Sequence, residues 1–115
     1  MQTPTILRST EELDAWLAAD RARPVLLFKH SLICPVSHAA HAEYLDFVAS
    51  SPSVDTALIE IQNQRDLSNA VAESSGVRHE SPQALLLVGG KVVWHASHGG
   101  IRVSTLRDAV AEHSH

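Results

Sequence analysis

A chain of 115 residues with 44 % apolar and 19 % charged side chains is long enough for one hydrophobic core and has the composition of an ordinary soluble globule. Its formal charge of -4, nine scattered Lys and Arg and 4 % aromatic content offer no basic or stacking surface, which argues against nucleic acid as a partner. No apolar run approaches the roughly 20 residues that span a bilayer, and "MQTPTILRSTEELD" has neither a basic nor an apolar leader region, so a cytoplasmic protein with no membrane partner is expected.

No repeat, linker or low-complexity tract interrupts residues 1–115, which read as a single domain. Ser9-Thr10-Glu11-Glu12 is a capping box, and Leu13, Trp16 and Leu17 give one apolar stripe, predicting a helix from Thr10 to about Ala19. "PVLLFK", from Pro24 to Lys29, is apolar without alternation, the pattern of a central strand buried on both faces. Pro35 then falls where a helix tolerates proline best, at its first residue, with Val36, Ala40, Tyr44, Phe47 and Val48 on one face.

Val54 to Ile61 reads as a second strand, and Asp66 to Ser75 as a helix with Leu67, Ala70 and Val71 inward and Gly76 at its end. Two β-rich runs, Ala84 to Val88 and Lys91 to Ala96, flank the hairpin signal Gly89-Gly90. Alternation in the second run puts Val92, Trp94 and Ala96 on one face and Val93 and His95 on the other. Ser104 is placed to cap a last helix carrying Leu106, Ala109 and Val110, while His113 and His115 read as a solvated end.

The order is helix, then β-α-β-α-β-β-α. A parallel β-α-β unit needs a right-handed crossover and a two-residue turn needs an antiparallel pair, so the expectation is an α/β protein with a mixed central sheet, the thioredoxin-like fold. Ligands of such sheets gather at the carboxyl ends of the strands, where the turn after Lys29 places Cys34, the one cysteine of the chain.

A thiol at a helix N-terminus meets unpaired N–H groups and the positive end of the helix dipole, both of which favour thiolate, the nucleophile of disulfide exchange. Lys29, His30 and His38 are candidates to add positive charge, and Ser37 to donate a hydrogen bond to the sulfur. Cys34-Pro35-Val36-Ser37 is a C-x-x-C redox motif with serine as its last residue, so a mixed disulfide on Cys34 needs an external thiol to resolve it. Ser81-Pro82 stands before the third strand, where this fold carries a cis-proline loop. There Ser81 backbone groups would face an extended disulfide substrate, and a metal at Cys34 is discouraged.

The segments "KHSLICPVS", "RHESPQALLL" and "KVVWHASHGGI" together resemble the monothiol bacilliredoxins of the YtxJ (BrxC) type over nearly the whole chain. The resemblance implies a thioredoxin-like fold and an enzyme that removes bacillithiol from S-bacillithiolated client proteins, with Cys34 as nucleophile and no tightly bound cofactor or metal. A second bacillithiol, the thiol co-substrate, would regenerate Cys34, and an NADPH-dependent reductase would recycle bacillithiol disulfide. This chain lacks the dinucleotide fingerprint to be that reductase. His98 lies in the loop beside the expected site, and Gly99-Gly100 resembles the paired glycines with which glutaredoxins hold glutathione.

Two other arrangements share these residues. Ser31-Leu32-Ile33-Cys34-Pro35 resembles the T-x-x-C-P loop of peroxiredoxins, with Arg78 as the arginine near a candidate loop, which would make a small thiol peroxidase. Cys34 with His30, His38 and His41 has spacings that a carrier of zinc or an iron-sulfur cluster would use, although a helical wheel puts His38 and His41 on the polar side.

Overall fold

The structure, a computed structural model, describes residues 3–18, 23–50, 54–89 and 91–113; Ala19, Gly90 and His115 of the expectations above lie outside them. Its elements are β1 (Thr5–Ile6), α1 (Thr10–Ala18), β2 (Val25–His30), α2 (Pro35–Ala49), β3 (Asp55–Glu60), α3 (Arg65–Ser75), β4 (Gln83–Val88), β5 (Lys91–Ser97), a 3-10 turn (His98–Gly100) and α4 (Val103–His113). This is the expected order with two additions, β1 and the 3-10 turn. The added β1 pairs parallel with Ala57 and Leu58, and two residues are too few for a period to show in sequence.

The strands lie in the order β1-β3-β2-β4-β5, parallel among the first three and antiparallel from β2 to β4 and β5. Central β2 is buried at every residue, which explains its unalternating sequence. Leu26 and Phe28 pack with Ala40, Tyr44 and Phe47 of α2 and Leu106 of α4, while Val25 and Leu27 pack with Leu13 of α1 and Leu67 and Val71 of α3. The helices therefore cover both faces. Among the described residues no helix is long and apolar enough to cross a membrane.

Local signals hold at several ends. Glu12 N–H donates to Ser9 Oγ at 3.0 Å and the Glu12 carboxylate accepts from Arg8 N–H at 2.7 Å, closing the start of α1. Gly76 ends α3 at φ 72°, in the left-handed region that favours glycine.

Three expectations are corrected. Val36 is 47 % exposed, and Ser37 takes the inward position on α2 because its hydroxyl has buried partners, given below. The last helix begins at Val103, so Ser104 lies inside its first turn instead of capping it. The Val103 N–H donates to Glu43 Oε1 of α2 at 3.0 Å, and the Arg102 N–H to Thr105 Oγ1 at 3.0 Å. Finally, β5 shifts register against Leu86 and Leu87, which pair with Trp94 and Val92. The bulge at Val93 turns Val92 toward the α1/α3 layer and leaves Trp94 and Ala96 against the α2/α4 layer.

Candidate functional site

The carboxyl end of β2 and the amino end of β4 meet the start of α2 at one edge of the sheet. Cys34 is the N-cap of α2, with extended backbone (φ -100°, ψ 120°) and Pro35 as the first helical residue. Its carbonyl accepts the His38 N–H at 3.0 Å, the first bond of the helix. Cys34 is partly exposed. Its apolar neighbours are more open, Ile33 at 80 % and Val36 at 47 %.

Ser37 sits beneath this turn, fully buried. Its Oγ accepts the Ser31 N–H at 2.8 Å and lies 2.8 Å from His30 Nδ1. The hydroxyl is thus engaged with His30 and Ser31, and the expected direct bond to the sulfur is not among its contacts. His30 is pushed down from 6.5 to about 4, first by burial and then by His41 and His38. It is a neutral ring at pH 7, not the positive charge expected from the sequence.

The His41 ring stacks on His30 at 4.2 Å and on Phe28 at 6.0 Å, half-buried instead of solvated on a polar face, and burial lowers its pKa. His38 stands edge-on to His30 at 5.2 Å, and its Nε2 lies 2.8 Å from Leu32 O. A carbonyl only accepts, so Nε2 carries the hydrogen. Face-to-face rings such as His30 and His41 cannot aim their in-plane nitrogens at one ion, and His30 Nδ1 and His38 Nε2 are already engaged with Ser37 Oγ and Leu32 O. This geometry does not suit the carrier arrangement.

Lys29 points to the opposite face of the sheet. Fully buried, its Nζ donates to Ser68 O at 3.1 Å and lies 3.3 Å from His79 Nδ1, which also meets Ser68 Oγ at 3.0 Å. Burial lowers the Lys29 pKa from 10.5 to about 8. Its ammonium serves α3 and the segment before β4, which corrects its expected place beside the thiol: successive residues of a strand face opposite sides.

The Ser81-Pro82 peptide is cis, as expected, and Pro82 O accepts the His98 N–H at 3.2 Å. His98 is exposed at φ 53°, an uncommon conformation for a residue with a Cβ. The loop from Arg78 to Pro82 and the turn His98–Gly100 are thereby joined, and Glu80 is held low by a Ser97 hydrogen bond, with His98 and Arg78 adding to it. A Cβ at Gly99 would meet nothing within 4 Å, and one at Gly100 only Ala96 Cβ at 3.6 Å. The protein's own packing therefore does not demand the two glycines.

One participant carried no sequence signal. Gln62, in the turn after β3, accepts the Leu32 N–H at Oε1 (2.8 Å) and donates from Nε2 to Ser31 Oγ (2.9 Å). "IQNQRD" around it matches no motif, and the contact spans 30 residues of chain. The Ser31 hydroxyl of the peroxidase-like arrangement is occupied by this amide.

The family model of the monothiol bacilliredoxin BrxC matches residues 5–106. The chain belongs to this bacilliredoxin family. Among solved structures, a candidate oxidoreductase with a thioredoxin fold is 34 % identical over 92 % of each chain, with a TM-score of 0.83. Fasciola hepatica thioredoxin is 14 % identical, covering 95 % of this chain and 98 % of that one at TM-score 0.77. A thioredoxin variant from Halobacterium salinarum NRC-1 is 20 % identical, covering 97 % and 91 % at TM-score 0.75. The fold is that of thioredoxin, and family and fold together make this bacilliredoxin a thiol-disulfide oxidoreductase with a single cysteine.

Proposed function

We propose that the protein removes bacillithiol from S-bacillithiolated clients through Cys34. The Cys34 thiolate attacks the bacillithiol sulfur of a client mixed disulfide; the S–S bond to the client breaks, the client thiolate leaves and takes a proton, and Cys34 becomes S-bacillithiolated. A second bacillithiol thiolate attacks that adduct, releasing bacillithiol disulfide and the Cys34 thiolate. An NADPH-dependent reductase elsewhere then reduces the disulfide. Bacillithiol is co-substrate in this scheme, with no bound cofactor or metal.

The observation that carries the reading is the lone thiol at the N-cap of α2 with a buried serine one turn on, in a chain of the bacilliredoxin family. No second thiol exists to expel the bound one, so the adduct waits for an external thiol. The Ser81 and Pro82 backbone would align the disulfide, and the open space at Gly99, between His98 and Gly100, is where the small thiol would lie.

Incubation with oxidised bacillithiol and, separately, oxidised glutathione tests this by intact mass. An adduct on Cys34 with bacillithiol, reversed by bacillithiol and absent from Cys34→Ser, is the expected result. Equal labelling by both disulfides would point to a general thiol exchanger, and turnover by Cys34→Ser would end the proposal.

A further inference from the structure

The loop from Ser31 to Cys34 is held by side chains. Leu32 has its N–H on Gln62 Oε1 (2.8 Å) and its carbonyl on His38 Nε2 (2.8 Å), while the Ser31 N–H is on Ser37 Oγ (2.8 Å). Ser37 and His38 belong to α2, the helix that Cys34 caps, so they tie the loop to the element it already leads into. Gln62 belongs to another part of the molecule. Its turn is fixed by the Ile61 N–H on His30 O (2.9 Å), the Gln64 N–H on Glu60 O (2.9 Å) and the buried side chain of Ile61.

We propose that Gln62 is a positioning residue for thiol-disulfide exchange: its amide, bonded to Leu32 N–H and Ser31 Oγ, fixes the path of the loop and so the line along which the Cys34 sulfur meets a disulfide. The proposal rests on the reading of Cys34 as nucleophile and on no particular small thiol. Gln62 is partly exposed, so its two hydrogen bonds to a buried serine and a backbone amide are a specific use of its side chain and not a way of filling the core.

The consequence is separable from thiol acidity. A helix N-terminus favours thiolate whatever fixes the loop before it, and α2 is anchored by its own buried residues Ala40, Tyr44, Phe47 and Val48. An incoming disulfide must lie in line with the attacking sulfur and against the edge formed by Pro82, so one approach is productive. Iodoacetamide is small and reaches a partly exposed thiolate from several directions. Loss of the clamp should slow exchange far more than alkylation.

The test compares the full-length parent with Gln62→Met, which keeps the length and loses both hydrogen bonds, and Gln62→Glu. The carboxylate of the latter keeps both contacts, accepting from Leu32 N–H and from the Ser31 hydroxyl, and adds a negative charge. Measured are the single-turnover rate of Cys34 with a chromogenic aromatic disulfide across pH, the rate with iodoacetamide at the same pH values, and the urea midpoint. In Gln62→Met exchange should fall about tenfold or more, with alkylation within about threefold of the parent, as expected for misaligned reacting groups. In Gln62→Glu the exchange profile should move to higher pH, and its plateau should return to within about threefold of the parent. Exchange at the parental rate in Gln62→Met, an equal fall of exchange and alkylation, or a Gln62→Glu plateau as low as that of Gln62→Met would each overturn the assignment of Gln62 alone. A parent that exchanges no faster than a free thiol would overturn the nucleophile reading, and the role of Gln62 with it.

Discussion

Replacing His30 by Asn should remove an acid-sensitive part of the stability while keeping the contact that Ser37 needs, since the Asn side-chain oxygen takes the place of Nδ1 toward Ser37 Oγ. His30 is 3 % exposed and titrates near 4 when folded, against 6.5 in a free chain. As pH falls below about 6.5 the unfolded chain takes up this proton and the folded chain does not, so stability is lost between about 6.5 and 4 and the loss is complete once both forms are charged. At about 1.4 kcal/mol per pH unit the displacement amounts to about 3 kcal/mol. The smaller side chain and the lost stacking on His41 cost the variant about 1–2 kcal/mol of packing at every pH. The decisive quantity is therefore the difference between parent and variant, not either value alone. Urea titrations followed by Trp16 and Trp94 fluorescence at pH 7, 6, 5 and 4 measure it. The carboxylates titrate in both chains and largely cancel. The stability of the parent minus that of the variant should fall by about 3 kcal/mol from pH 7 to 4, so that the variant becomes the more stable of the two at pH 4, and a constant difference would refute the burial of a neutral His30.

Lys29→Met should abolish a rise in stability at alkaline pH. The folded lysine releases its proton near 8 and the unfolded one near 10.5, so the parent gains about 3 kcal/mol across that window and the variant gains none from this site, as urea midpoints at pH 8 and 10 would show. Tyr44→Phe should lower the urea midpoint at unchanged slope by about 1–2 kcal/mol, because the fully buried phenol bonds Ala57 O at 2.8 Å and Leu26 O at 3.1 Å and the variant leaves both carbonyls short of a partner.

Much of the fold was legible because its strongest signals are local. The unbroken apolar run of β2 marks the middle of a sheet covered on both sides, and Pro35 marks a helix start without need of any distant residue. The place of Cys34 at the start of α2 followed from those two, and the cis Ser81-Pro82 peptide from the order of elements as a whole. Direction and partnership were harder. On the α2 wheel positions 36 and 37 both adjoin the stripe of Ala40 and Tyr44, and it is the demand of His30 and the Ser31 amide for a partner that turns Ser37 inward and Val36 out. Lys29 and His30, consecutive residues, read as one basic pair but part to opposite faces of the sheet. Glu43 capping α4 and Gln62 holding Leu32 are contacts between distant segments, set by tertiary packing that no local pattern encodes. The bulge at Val93 belongs to the same class, since one extra residue reverses an alternation that otherwise reads cleanly.

Ile33, at 80 % exposure beside the sulfur, gives the protein a bias in collision lifetime. Hydrating an isoleucine side chain instead of burying it costs about 1.5–3 kcal/mol, and the folded chain bears most of that cost as long as nothing covers this edge. A partner with an apolar surface recovers it on contact, while a small disulfide that meets only the sulfur recovers little. Each 1.4 kcal/mol recovered corresponds to about a tenfold slower escape at equal encounter rate. Before any bond changed hands, a folded protein with a greasy rim around its own disulfide would therefore dwell at Cys34 longer than a free small molecule, and selection between the two would begin in the encounter itself.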